Sequence, residues 1–141
     1  MAATKVGVIG TGKMGEYHVG VLSEMPETNL VGIVDNNKER ANLISKRYNV
    51  PCYYEYKDLI SKVDTIIVAL PTSLHYSVGK EFLEAGIHTL LEKPCTDNLS
   101  QAEELFEIAN NNNLVLHIGH IERFNGAVQE LFKIVKDPIY I

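Results

Sequence analysis

Residues 5–22, Lys-Val-Gly-Val-Ile-Gly-Thr-Gly-Lys-Met-Gly-Glu-Tyr-His-Val-Gly-Val-Leu, decide the fold. Val6 to Ile9 is apolar throughout, as in a strand covered on both faces. The run Gly10-Thr11-Gly12-Lys13-Met14-Gly15 follows at once, and a helical pattern follows that. Met14, Tyr17, His18, Val21, Leu22 and Met25 recur at helical spacing and predict the apolar side of the helix, which Pro26 stops. A glycine triplet between a strand and a helix has a physical meaning that the bare pattern lacks. Gly10 permits a tight turn, Gly12 lets backbone approach a diphosphate, and Gly15 lets the helix pack closely on the strand. The exposed amides and the positive end of the helix then face an anion.

Outward from this turn, apolar runs alternate with helical patterns. Strands are predicted at Leu30 to Val34, Cys52 to Tyr54, Val63 to Ala69, His88 to Leu91 and Leu114 to Gly119. Val63 to Ala69, the most apolar of them, is placed mid-sheet. Helices are predicted over Lys38 to Tyr48 and Leu74 to Ala85, the second ending at Gly86. A third runs to Asn110 from a Ser100–Glu103 capping box and carries Ala102, Leu105, Phe106 and Ala109. The last covers Ala127 to Val135, with Val128, Leu131, Phe132 and Val135 as its apolar residues. Alternation of this kind forces parallel pairing through right-handed crossovers. The fold class expected is α/β, a doubly wound, mostly parallel Rossmann sheet with helices on both faces. Residues 1–136 make the dinucleotide-binding domain. Ile139-Tyr140-Ile141 reads as the first strand of a second α+β domain, for substrate and oligomerisation, that this chain breaks off.

Composition excludes several classes. Eighteen acidic against thirteen basic residues give a net charge of −5, which argues against nucleic acid. Apolar runs such as Ile66 to Leu70 are too short to span a bilayer. Cys52 and Cys95 are too few for a disulfide framework or a metal knuckle and read as buried or half-buried thiols. No metal site and a cytoplasmic location are expected.

Asp35 lies 20 residues beyond Gly15, at the end of the second strand, where a carboxylate can accept hydrogen bonds from an adenosine ribose. It would also repel the 2′-phosphate of NADP. Asn36 and Asn37 supply no cation to offset it, though Lys38 and Arg40 stand nearby. NAD is therefore expected over NADP. In an open α/β sheet, ligands sit beyond the carboxyl ends of the strands. The residues there are Leu70-Pro71-Thr72-Ser73-Leu74-His75, Glu92-Lys93-Pro94 and His120-Ile121-Glu122-Arg123-Phe124-Asn125. His18, His117 and the tyrosines at 53, 54 and 56 are read as structural.

These marks together make the chain similar to the N-terminal half of the family of glucose-fructose oxidoreductase, inositol 2-dehydrogenase and the rhizopine-catabolism dehydrogenases. The glycine run, Asp35, Pro71-Thr72 with His75, and above all Glu92-Lys93-Pro94 carry the likeness, which covers essentially the whole chain. Gly119 to Asn125 further resembles a run in members that oxidise nucleotide-linked sugars, although Gly126 stands where those usually have proline.

The resemblance implies an NAD-dependent oxidation of a secondary alcohol on a sugar or nucleotide sugar. Lys93 would be the catalytic residue, close to the nicotinamide and the reacting hydroxyl. Pro94 would stiffen its turn through a candidate cis peptide, and Glu92 would position Lys93 or touch the cofactor. Gly10, Thr11, Gly12, Lys13, Met14, Gly15, Asp35, Asn36, Arg40, Leu70, Pro71, Thr72, His75, Glu92, Lys93, Pro94, His120 and Arg123 form the expected cofactor set. A base from the second domain would take the hydroxyl proton, so the fragment alone is expected to bind dinucleotide without turning over sugars, and the full-length protein to be a homo-oligomer. Two alternatives stay open on the residues alone: a non-catalytic dinucleotide-sensing module, and a transferase using S-adenosylmethionine.

Overall fold

The central strands are buried at successive positions, on both faces, and so one sheet carries two hydrophobic layers. The computed structural model describes residues 2–136. Its strands are β1 (Thr4–Ile9), β2 (Thr28–Val34), β3 (Cys52–Tyr53), β4 (Thr65–Val68), β5 (His88–Leu91) and β6 (Leu116–Ile118), all parallel, in the order β3-β2-β1-β4-β5-β6. The helices are α1 (Lys13–Glu24), α2 (Lys38–Tyr48), α3 (His75–Glu84), α4 (Leu99–Asn111) and α5 (Gly126–Ile134). Short 3₁₀ turns occupy Tyr56–Leu59, Thr72–Leu74 and Ile121–Phe124. The strand expected at residues 139–141, and with it the start of a second domain, lies outside the described residues.

Register explains the layers. Val8 pairs with Ile33 and Ile67, and Ile67 with Leu90, so these four form one row across the sheet. That row packs with Val19 and Leu22 of α1 and Ile44 of α2. The next row, Ile9, Val34, Val68 and Leu91, points to the other face. There it meets Val78, Phe82 and Leu83 of α3 and Leu105 and Ala109 of α4. Apolar residues at successive positions in the middle of these strands are what a sheet covered on both faces requires. The most apolar strand, β4, does sit mid-sheet, between β1 and β5.

Several local expectations change. The inward face of α1 is Gly15, Val19 and Leu22, while Tyr17 and Val21 are 58% and 60% exposed. Close contact at Gly15 turns that side of the helix to the sheet, overriding the larger apolar side chains. Ser100 and Glu103 do not cap α4. Asn98 is the N-cap, accepting from the Gln101 amide at 3.1 Å, and the Ser100 hydroxyl donates to the same oxygen at 2.8 Å. Asn98 reaches N3 from the true cap position, so the helix starts earlier. Helix α5 buries none of its residues: Phe132 and Ile134 are each 76% exposed. Gly86, with φ +80°, ends α3 as expected, and both cysteines are half-buried. Among the described residues no helix is long and apolar enough to cross a membrane.

Phe82 is fully buried between α3 and the sheet. Phe82→Ala should therefore lower unfolding free energy by about 3–5 kcal/mol in urea titrations. Phe132→Ala should change it by less than about 0.5 kcal/mol.

Candidate functional site

Strands β2 and β3 lie to one side of β1, and β4 to β6 to the other, so the chain reverses direction between β1 and β4. Loops diverge at such a switch point and leave a crevice beyond the strand ends. A cavity of about 770 Å³ opens there, within the ~300–1,000 Å³ range of cofactor sites. Of the expected residues it is lined by Gly10, Gly12, Lys13, Met14, Asp35, Asn36, Arg40, Leu70, Pro71, Glu92 and Lys93. Thr11, Gly15 and His75 are buried behind that wall. Thr72 and Pro94 sit on its loops without lining it, and His120 and Arg123 lie on an exposed turn apart from it.

The three glycines do different jobs. Gly10 has φ +86°, and a Cβ there would come 2.5 Å from the Ala69 carbonyl oxygen. A Cβ at Gly15 would fall 1.8 Å from the Gly10 carbonyl oxygen, so any side chain forces α1 off β1. Gly12 is unlike both. Its φ is −64° and nothing lies within 4 Å of the place a Cβ would take. The fold gives no reason for glycine at that position, but an occupant of the cavity does. Gly12 is also the N-cap of α1 and provides no side-chain cap. The first amides of the helix are left facing the crevice, with Lys13 beside them.

Asp35 is the electrostatic centre of the cavity wall at the end of β2. Its carboxylate is 3% exposed and takes five hydrogen bonds. Oδ2 accepts from the Thr11 amide and hydroxyl at 2.8 Å each and from Arg40 Nε at 2.9 Å; Oδ1 accepts from the Asn37 amide and Arg40 Nη2 at 2.8 Å each. Burial works to raise its pKa, but the guanidinium, the two amides and the hydroxyl outweigh it and bring it from 3.8 to about 2. A carboxylate offers about four acceptor sites, so this one is already full. Two of its donors sit on Arg40, the only one of these partners that lines the cavity, through a half-exposed side chain. Thr11, meanwhile, spends its amide on Asp35 and not on the crevice.

At the other end, β5 delivers Glu92 and Lys93. The Lys93–Pro94 peptide is cis, as expected. Glu92 is 5% exposed; it accepts from His18 of α1 at 2.7 Å and from the Lys93 amide at 3.2 Å. The Lys93 side chain is exposed on the cavity wall, and no ion pair involves it among the described residues. His75 is 1% exposed. Its ring nitrogens lie 2.8 Å from the Leu70 carbonyl oxygen and 2.9 Å and 3.2 Å from those of Pro94 and Cys95, linking the loops that follow β4 and β5.

Sequence reading missed two features. Tyr54, Glu55 and Tyr56 line the cavity, although the tyrosines read as edge-strand packing. The strand before them is only two residues long, which carries the following segment onto the crevice wall. His18 belongs to the site through Glu92, 74 residues away in the chain.

Comparison with known proteins agrees with this arrangement. Residues 4–120 match the family described as "Oxidoreductase family, NAD-binding Rossmann fold". The chain is 34% identical over 131 residues to UDP-N-acetylglucosamine 3-dehydrogenase of Acidithiobacillus ferrooxidans, covering 93% of this chain and 41% of that protein. A solved structure of that enzyme superimposes with TM-score 0.87, covering 95% of this chain and 44% of its own. GenD2 from gentamicin A biosynthesis, solved in complex with NAD, is 26% identical with TM-score 0.81, covering 84% and 35%. The chain thus spans about two fifths of the length of the curated relatives it matches.

The depressed Asp35 pKa fixes a pH dependence. A folded value below the unfolded one stabilises fully above about pH 5 and less as pH falls towards 2. With an allowance for screening at the cavity edge, Asp35→Asn should cost about 1–2 kcal/mol at pH 7, and the gap to wild type should close near pH 2 in urea titrations.

Proposed function

The chain belongs to the oxidoreductase family with an NAD-binding Rossmann fold, and on that premise we propose that it is the dinucleotide-holding domain of a dehydrogenase acting on a secondary alcohol of a sugar or nucleotide sugar. The observation that carries this is Gly12, a glycine that the fold does not need, at an uncapped helix start facing the cavity. The first-turn amides of α1 and Lys13 hold the diphosphate. Asp35 takes the adenosine ribose hydroxyls, which replace the two bonds from Arg40 while Thr11 and Asn37 keep the carboxylate in place. Lys93 stands at the opposite end of the cavity, where the nicotinamide and the substrate carbon meet.

NAD supplies a hydride acceptor at C4 of its ring when bound. The Lys93 ammonium orients the substrate hydroxyl and stabilises negative charge growing on its oxygen. The proton of that hydroxyl needs a base, which in this reading comes from residues outside the chain. A cation exposed on the cavity wall and paired with nothing among the described residues favours chemistry over mere sensing of dinucleotide. The sugar-nucleotide reading draws on the 34% identity to UDP-N-acetylglucosamine 3-dehydrogenase.

Discrimination against NADP is less simple than charge repulsion, because Asp35 and Arg40 cancel while paired. The preference for NAD comes from the ribose hydroxyls taking over Asp35. Asp35→Ala removes that grip and frees Arg40 for a 2′-phosphate. Calorimetric titration should show the NADP-to-NAD ratio of Kd falling at least ten-fold, a change of about 1.4 kcal/mol. Gly12→Ala separates binding from folding. It should cost about 1 kcal/mol or less of stability and weaken NAD at least ten-fold. Unaltered NAD affinity in that variant would remove the main support for the reading.

A further inference from the structure

Glu92 and Lys93 are neighbours that line one cavity with opposite charges, yet they form no ion pair. The reason lies behind the turn. Nε2 of His18 sits 2.7 Å from Glu92 Oε1, and Oε2 of the same carboxylate accepts the Lys93 amide at 3.2 Å. An ionised carboxylate only accepts, so His18 presents Nε2–H to it. Gly119, at the end of β6, makes the space: a Cβ there would stand 3.0 Å from Oε1 and 3.2 Å from Oε2. Three elements, α1, β5 and the end of β6, thus converge on one carboxylate that is 5% exposed. A buried carboxylate stripped of a donor seeks another cation, and the nearest in sequence is the Lys93 ammonium.

We propose that His18 is a positioning residue: together with the space at Gly119 it parks the Glu92 carboxylate behind the turn, so that the Lys93 ammonium stays unpaired and available to substrate. The proposal rests on the reading of Lys93 given above but is tested without dinucleotide or substrate. Its location also joins the two ends of the site. The helix whose first turn faces the diphosphate position is the one that restrains the carboxylate beside the Lys93 ammonium.

Trinitrobenzenesulfonate reacts with free lysine amines and more slowly with ion-paired ones. Labelling of Lys93 in the chain, followed by peptide mass spectrometry, should be at least three-fold slower in His18→Ala than in wild type. His18→Gln, whose amide can still donate to the carboxylate, should restore the rate. In a Glu92→Gln background the His18→Ala substitution should have no further effect on Lys93. Gly119→Ala, which crowds the carboxylate from the other side, should slow Lys93 as His18→Ala does and serves if the latter does not fold. Wild-type labelling of Lys93 in folded His18→Ala or Gly119→Ala overturns the proposal. So does an equal slowing by His18→Ala with Glu92 already neutral. Failure of the wild-type chain to bind NAD in calorimetry would count against the proposed function and leave the labelling result standing.

Discussion

Backbone meets backbone where β1 turns into α1, and the whole arrangement of the crevice depends on that contact. The Gly10 carbonyl oxygen lies where a Gly15 side chain would begin, and Gly10 itself abuts the carbonyl of Ala69 at the end of β4. These approaches bring the start of α1 down over the gap between β1 and β4. Without them the first-turn amides would point over the helix face of the sheet and not across the strand ends. The position of the helix bears on what its later residues can reach, and His18, three residues after Gly15, reaches Glu92.

Charge is handled differently at the two ends of the crevice. At the Asp35 end, one carboxylate is saturated by two amides, a hydroxyl and a guanidinium, so the Asp35–Arg40 pair carries no net charge. At the Lys93 end, the Glu92 carboxylate is drawn back to His18 and a cation is left exposed. Binding calls for the first and chemistry for the second. A ligand can exchange one set of satisfied hydrogen bonds for another at modest net cost. An unpaired cation keeps its field for charge that develops during reaction.

Much of this was legible in the chain because strand burial on both faces writes itself as continuous apolar runs. The six strands among the described residues, the order of elements and the positions of Asp35 and Lys93 on the crevice follow from those runs and from the glycine turn. What the pattern hid has physical causes. The inward face of α1 is set by a glycine, which adds nothing to apolar periodicity. The cap of α4 is Asn98 because the side chain of Asn98 accepts the Gln101 amide, which the Ser100–Glu103 pair does not announce. Tyr54 and Tyr56 looked like packing because a two-residue strand is invisible as a turning point. The exposure of Phe132 has no trace in sequence at all, since a helical apolar pattern does not say whether a partner is present. His18 had one usable clue: it follows Gly15 by three residues and so falls near the side of the helix held closest to the sheet.

The imidazole at His75 makes the two lips of the crevice mechanically unequal. It is buried among carbonyl oxygens from the loops after β4 and β5, and drawing those loops apart would strand polar groups away from water at about 1–3 kcal/mol each. That lip is a fixed jaw. The facing lip yields instead, because Arg40 need only rotate its own half-exposed side chain. A dinucleotide held as proposed would therefore be seated by accommodation at its adenosine half, while its nicotinamide half would meet loops tied together through His75. On that reading, errors of distance would be tolerated where only affinity is at stake and suppressed where a fraction of an ångström would govern the rate of hydride transfer.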